Sequence, residues 1–291
     1  MHQGRGFEYG VHHVLAAQSG ELSGILRRQL DIENSELSQL LHLGAIYVNE
    51  KRIQIDASVQ AGDYLRVHRK PRRFFCPDEL ENSILQETEN YVILNKPHGL
   101  PTHPTVDNTK ENALHLLSEK LGRPLFVTHR LDVATSGILV LAKNKSFQKF
   151  FNEQLLSKQV QKYYRALVHG AFKRQGCLQH YMQPSPKAPK TLSDSKQQGW
   201  HLCSMNVLDC EQFPNKTTEL KIKLITGRTH QIRSQLAFEG HPIVGDRLYG
   251  ACATSNQSGE SICLQAYLIE FQDIDQKPQR VRLTGWSSWE I

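Results

Sequence analysis

An α+β protein in two unequal domains, residues 1–75 and 76–291, is what the sequence predicts, and three observations predict it. Leucines at helical spacing are followed by short alternating stretches that end near His68. A polar, basic, proline-containing stretch, "RVHRKPRR" from Arg66 to Arg73, then reads as a linker. Beyond it, strand-like and helix-like segments alternate irregularly, without the even spacing of a regular βαβ repeat.

In the first domain, "SGILRRQL" and "SELSQLLHLG" predict two short helices. The second sets Leu37, Leu40 and Leu41 on one face, with Ser35 placed as a cap and Gly44 as a stop. "AIYVNEKRIQIDASVQAGDYLRVH" alternates like strands, with turns at "NEKR" and "QAGD", the latter supplying the glycine of a tight hairpin. In the second domain, Tyr91 to Leu94 reads as a strand that runs into a Pro-Gly turn, and "GILVLAK" as a buried strand. "NKSFQKFFNEQLLSK" reads as a helix with Phe147, Phe150, Phe151 and Leu155 inward, and "YYRALVHG" as another strand. His180 to Gly199 reads as an exposed loop.

Composition narrows the chemistry. The six cysteines form no C-x-x-C pair, which argues against a zinc knuckle and a disulfide framework and makes a reducing cytoplasm the expected setting. The longest apolar run, "ILVLA", is far too short to span a bilayer, so neither export nor membrane insertion is expected. The fourteen histidines show no zinc-helix spacing, so no metal is assigned, and Ser136 sits in no nucleophile elbow. The formal charge is +6, yet from Lys143 to Arg174 eight Lys or Arg face the single acid Glu153. With the Arg66–Arg73 cluster, that run points to a phosphate backbone as partner.

Within "HRLDVATSG", Asp132 lies between a basic pair and a small-residue turn. Taken alone, such an acid reads as a turn or cap residue. Together with "KYYRALVHG", "TGRTHQIRSQLAFEGHPIVGDRLYG" and, upstream, "NKPHGLPTHP", the stretch resembles the RluA family of RNA pseudouridine synthases over roughly residues 84–271. The N-terminal "SELSQLLHLGAIYVNEKRIQIDASVQAGDYLRV" resembles the αL-type RNA-binding domain first known from a small-subunit ribosomal protein.

The resemblance implies a mixed, mainly antiparallel sheet flanked by helices, and an isomerase that uses no cofactor. By motif position Asp132 is the essential carboxylate, Arg233 is the cation expected to pair with it, and Tyr164, rather than Tyr163, stacks on the base and helps remove the ring-carbon proton. Arg130 is expected to contact RNA or fill the gap left by the extruded nucleotide. Lys162 and Arg228 are further substrate contacts, His129 holds its loop by hydrogen bonds, and Asp246 sits in a structural turn. The partner implied is RNA, ribosomal first and transfer RNA second, with a monomer as the default state. Two other classes compete: a noncatalytic RNA-binding or ribosome-assembly factor, and a glycoside hydrolase, which needs a second carboxylate for which Asp246 is the candidate.

Overall fold

The computed structural model describes residues 10–251 and 262–285. Its Cα positions divide into two compact units, Met1–Pro77 with His103–Leu116, and Asp78–Thr102 with Leu117–Ile291. A single cut at residue 75 therefore does not separate them, because a later segment belongs to the first unit.

That unit runs β1 (Val11–Leu15), β2 (Gly20–Glu21), α1 (Leu22–Leu30), α2 (Asn34–Leu43), β3 (Ile46–Val48), β4 (Lys51–Ile53), β5 (Ser58–Val59) and β6 (Tyr64–His68). Leu22, Ile25 and Leu26 of α1 meet Leu37, Leu40 and Leu41 of α2 over Ile46, Leu65 and Val67, a core of the unit's own. Gly44 ends α2 in the left-handed region at φ 66°, as the sequence predicts. Ser35 is no cap: the helix begins at Asn34 behind Glu33, which makes no side-chain capping bond. Asn49 and Glu50, both at positive φ, form the two-residue turn between β3 and β4. "QAGD" turns the chain but closes no hairpin, since β5 pairs with β2 while β6 joins β1 and β3.

"RVHRKPRR" is not a free linker. Arg69 grips Glu36 through Nε (2.7 Å) and Nη2 (2.6 Å), Arg72 lies 2.8 Å from Asp107, and Arg73 lies 2.6 Å from Glu111. Arg66 reaches Glu50 at 3.2 Å and lies over the Tyr47 ring. Side-chain pairing fastens the stretch to α2 and to the 103–116 segment, and spends the charge of its four arginines.

The second unit is organised by one sheet. In chain order its elements are β7 (Ile84–Glu87), β8 (Tyr91–Lys96), the latter part of α3 (Ala113–Lys120), β9 (Phe126–Val127), β10 (Ser136–Ala142), α4 (Lys145–Leu156) and β11 (Gln161–His169). There follow β12 (Gly176–Met182), β13 (Leu192–Ser193), β14 (His201–Gln212), β15 (Thr217–Leu224), α5 (Gln231–Phe238), β16 (Leu264–Gln272) and β17 (Pro278–Arg282). The strand order is β13-β12-β14-β15-β11-β16-β10-β8-β7, with β9 on β10 and β17 on β16. Among the described residues β10–β16 is the one parallel pairing of this sheet, so it is mixed and mostly antiparallel. The stretch His180–Gly199 is not all loop: its first three residues complete β12, and Leu192–Ser193 forms β13.

Apolar content sets the middle of the sheet. Every residue of β10 is buried, as its unbroken apolar run requires of a strand covered on both faces. Asn144 caps α4 by accepting the Phe147 N–H (2.8 Å), and Phe147 and Phe151 pack with Tyr91, Ile93, Ile138 and Val140. Gly137 permits the parallel contact: its φ is +110°, and a Cβ there would sit 2.3 Å from the Ala266 carbonyl oxygen.

Candidate active site

The sheet order assembles the site. Tyr164 of β11 pairs with Ala266 of β16, and Ala266 pairs in turn with Gly137 of β10, so the turn that precedes β10 arrives beside Tyr164. β15, on the other side of β11, leads through "TGRTH" into α5. A cavity of about 350 Å³ opens there, within the range of small-ligand sites. Asp132, Tyr164, Arg233, Arg130, Lys162 and Arg228 all line it.

The Asp132 turn is pinned on both sides. The Thr102 hydroxyl donates to the Leu131 carbonyl (2.9 Å) and accepts the Leu131 N–H (3.1 Å). The Val133 carbonyl accepts the Gly99 N–H (2.8 Å), and the Asp132 carbonyl accepts the Thr135 N–H (3.1 Å). Lys96, wholly buried, gives its ammonium to the carbonyls of Pro97 (2.7 Å) and Leu100 (2.7 Å), with that of Val133 at 3.4 Å. Burial pushes this lysine down to about 7, against the pull of the Asp132 charge.

Arg233 does not pair primarily with Asp132. Its Nε and Nη2 form a two-pronged bridge to Asp246, at 2.6 and 2.8 Å, and Asp246 is 1% exposed. Its third nitrogen, Nη1, lies 3.9 Å from Asp132 Oδ2. Asp246 is thus the anchor that aims Arg233, and its carboxylate is already committed, which removes it as the second acid of a glycoside hydrolase. The guanidinium also lies over the Tyr249 ring, 5.2 Å from its centroid.

Tyr164 is buried, and burial first, then the Asp132 charge, pushes its phenol above the ordinary tyrosine range. It faces the cavity as a neutral ring with its proton on. His129 accepts the Val140 N–H through Nε2 (3.1 Å), stacks on Phe151, and is driven by burial down to about 3, so it is a neutral loop holder. Lys162 is held below the usual lysine range by burial, and no acid among the described residues pairs with it. Arg130 hydrogen-bonds Thr229 at the exposed rim, where Arg228 also lies.

The Lys143–Arg174 run does not act as one surface. Lys143 pairs with Glu87, Arg174 with Glu239, and Arg165 donates to the Leu283 carbonyl; of its cations only Lys162 lines the cavity. Residues that sequence reasoning passed over are Lys96, Thr102, His230 and Tyr249. The lysine closing the apolar strand "YVILNK" was a readable signal, since a charge at the end of a buried run must find partners. Among the described residues no cluster of His, Cys, Asp or Glu could hold a metal ion, and no helix is long and apolar enough to cross a membrane.

Residues 90–238 match the RNA pseudouridylate synthase family model. A ribosomal large subunit pseudouridine synthase C of Vibrio parahaemolyticus is 31% identical over 269 residues, covering 86% of this chain and 84% of that one. RNA pseudouridine synthase 6 of rice (Oryza sativa subsp. japonica), named as chloroplastic, is 37% identical over 219 residues, 67% of this chain but 46% of that protein. The chain spans about half the length of that relative and of its Arabidopsis thaliana counterpart. The solved human RNA pseudouridylate synthase domain containing 4 shares the fold, with a TM-score of 0.58 at 23% identity, over 70% of this chain and 89% of that one. Matched by the family model over residues 90–238, which include Asp132, Tyr164 and Arg233, the chain belongs to the RNA pseudouridylate synthase family.

Proposed function

We propose that this chain converts specific uridines in structured RNA to pseudouridine, with Asp132 as the essential carboxylate. The observation that carries the reading is the cavity itself: one uncommitted acid, a neutral buried tyrosine ring and several unpaired cations converge on a space of small-ligand size. Isomerisation breaks the N1–C1′ bond, turns the uracil, joins C5 to C1′, and moves the C5 proton to solvent while N1 gains one. No electron is gained or lost, so no cofactor is called for.

Two routes place the same demand on Asp132. In one, a carboxylate oxygen adds to C1′ and is later displaced by C5; in the other it removes the C2′ proton to give a glycal. Either uses the Asp132 carboxylate, and the Arg233 guanidinium, 3.9 Å from its Oδ2, sets a fixed positive charge beside it. Tyr164, as a neutral phenol, offers a stacking face for the free uracil more readily than it offers a base. Arg130, Arg228 and Lys162 are the contacts for phosphate and for the extruded nucleotide, whose unstacking costs a few kcal/mol.

Ribosomal RNA is the first substrate class, supported by the name of the Vibrio relative and by the two-helix N-terminal unit, which is an αL-like RNA grip in this reading. Transfer RNA is second. The test is to incubate wild-type and Asp132→Asn protein with total RNA from cells lacking the gene and to map pseudouridine by carbodiimide-dependent reverse-transcription stops. Stops that require the wild-type acid, and their positions in ribosomal or transfer RNA, establish reaction and substrate together. RNA that is bound and intact yet gains no stop refutes the reading in favour of a noncatalytic RNA-binding factor.

A further inference from the structure

His230 is half-buried beside the cavity, and the reaction as described so far gives it nothing to do. It sits at the N-terminus of α5 in the left-handed region (φ 58°, ψ 21°), which turns its ring back toward Asp132. Its Nε2 lies 4.0 Å from Asp132 Oδ2, the same oxygen that Arg233 Nη1 approaches at 3.9 Å. Its Nδ1 lies 3.1 Å from the Tyr249 hydroxyl. That hydroxyl accepts the backbone N–H of Lys190 at 3.0 Å.

These contacts favour one placement of the protons. A phenol oxygen that accepts from a backbone amide still has one hydrogen to give, and Nδ1 of His230 stands 3.1 Å away to receive it. Nδ1 is then bare, and the ring proton is on Nε2, the nitrogen that faces Asp132. Burial holds the imidazole below its ordinary range, against the pull of Asp132 and with Arg233, Asp246 and Lys190 also in its field. The ring therefore enters as a neutral donor.

We propose that His230, locked in its Nε2–H form by Tyr249, is a positioning residue that captures Oδ2 of Asp132 and leaves Oδ1 to face the ribose. This deepens the pseudouridine synthase reading and rests on it. Both donors stand about 1 Å beyond hydrogen-bond distance, a spacing that a small turn of the Asp132 side chain closes when a nucleotide fills the cavity and excludes water. Two donors on one oxygen orient the carboxylate as a unit, and they stabilise its negative charge again when it leaves the sugar or returns the proton. Lys190 belongs to the 183–191 stretch between β12 and β13, so the lock ties this exposed segment to the acid.

The test uses the full chain in two arms. Long-range proton–nitrogen spectra of histidine-labelled protein, with the His230 signals assigned by their loss in His230→Gln, report which nitrogen carries the hydrogen. The expected result is Nε2–H in wild type, with Nδ1–H appearing in Tyr249→Phe. Single-turnover conversion of an unmodified transcript that wild type modifies is the second arm. Tyr249→Phe is expected to lower the rate by roughly tenfold and His230→Ala by roughly 10- to 100-fold, with RNA affinity unchanged. Gln carries an N–H of similar reach, so His230→Gln is expected to recover most of the rate lost in His230→Ala. An Nδ1–H ring in wild type, a Tyr249→Phe rate equal to wild type, or equal rates for the Ala and Gln variants each overturns the assignment while the synthase reading stands. A wild type that converts no transcript overturns that reading, and the assignment with it.

Discussion

Two groups of basic residues have the same look in sequence and opposite fates in the structure. The arginines at 66, 69, 72 and 73 are each matched to an acid, Glu50, Glu36, Asp107 and Glu111. At the cavity, Arg130, Lys162 and Arg228 form no ion pair among the described residues, and Arg233 divides itself between Asp246 and Asp132. Charge counted along a chain measures supply; what is available to RNA is the remainder after internal pairing. The denser cluster holds a domain together, and the sparser one faces the cavity.

The most damaging way to disturb this contrast is at the one paired cation of the cavity. Asp246→Asn removes the charge that aims Arg233 and leaves a buried guanidinium without its anion, so it is expected to cost about 3–5 kcal/mol of stability. RNA conversion should fall at least as far as that of any rim variant, because Asp132 loses its fixed field. Denaturant unfolding and single-turnover assays check both; a variant with wild-type stability and rate would show that Asp246 anchors nothing.

Lys162 provides the opposite test. Lys162→Met keeps the length of the side chain and removes an unpaired, half-buried ammonium, so folding stability should be unchanged or higher. Conversion should drop by about 10- to 100-fold if the ammonium meets an RNA oxygen, the worth of one hydrogen bond to a charged group. Loss of stability with full activity would place Lys162 among the structural cations instead.

Lys96 joins the two kinds, a cation with carbonyl partners and no acid. Its folded value of about 7 lies below the ordinary 10.5, so between those values the unfolded chain holds a proton that the folded chain has shed. Stability from this group therefore rises with pH from about 7 upward, by as much as about 1.4 kcal/mol per unit, and the burial cost is carried in full below 7. Denaturant unfolding of wild type and Lys96→Met at pH 7 and pH 9 should show wild type gaining on the variant at the higher pH. A constant difference would mean that the three carbonyls keep Lys96 charged throughout.

What could be read in the sequence follows the range over which each signal acts. The α4 helix with Phe147 and Phe151 inward, the buried run of β10 and the Gly44 stop are local, and each was legible from a few neighbouring residues. Asp132, Tyr164 and Arg233 were legible by motif, and the structure brings them to one cavity although 101 positions separate the first from the last. Partners chosen by the fold were not legible. Arg233 was expected on Asp132 and reaches it through Nη1 at 3.9 Å, but its closer partner is Asp246, because the buried turn after α5 sets a second carboxylate beside it. The linker reading of "RVHRKPRR" failed for the same reason: Asp107 and Glu111 are more than thirty residues away and enter the first unit only through the fold.

The smallest effect sharpens the comparison most. Arg72→Met removes a bridge whose arginine side is 58% exposed, so after allowance for solvent screening it should cost about 1 kcal/mol of stability. Its effect on RNA should be slight, because a guanidinium held by Nε and Nη2 on Asp107 has little left to offer a phosphate. Removal of residues 1–75 is a harsher perturbation than it looks from sequence, since it strips Asp107 and Glu111, one buried and one half-buried, of both arginines at once. The salt dependence of RNA binding separates the two roles: Arg72→Met should leave the slope of log affinity against log salt unchanged, and Arg228→Ala should reduce it by about 0.7–0.9. If Arg72→Met lowers the slope as much as Arg228→Ala does, the bridge to Asp107 opens for RNA, and the N-terminal cluster serves the RNA as well as the domain.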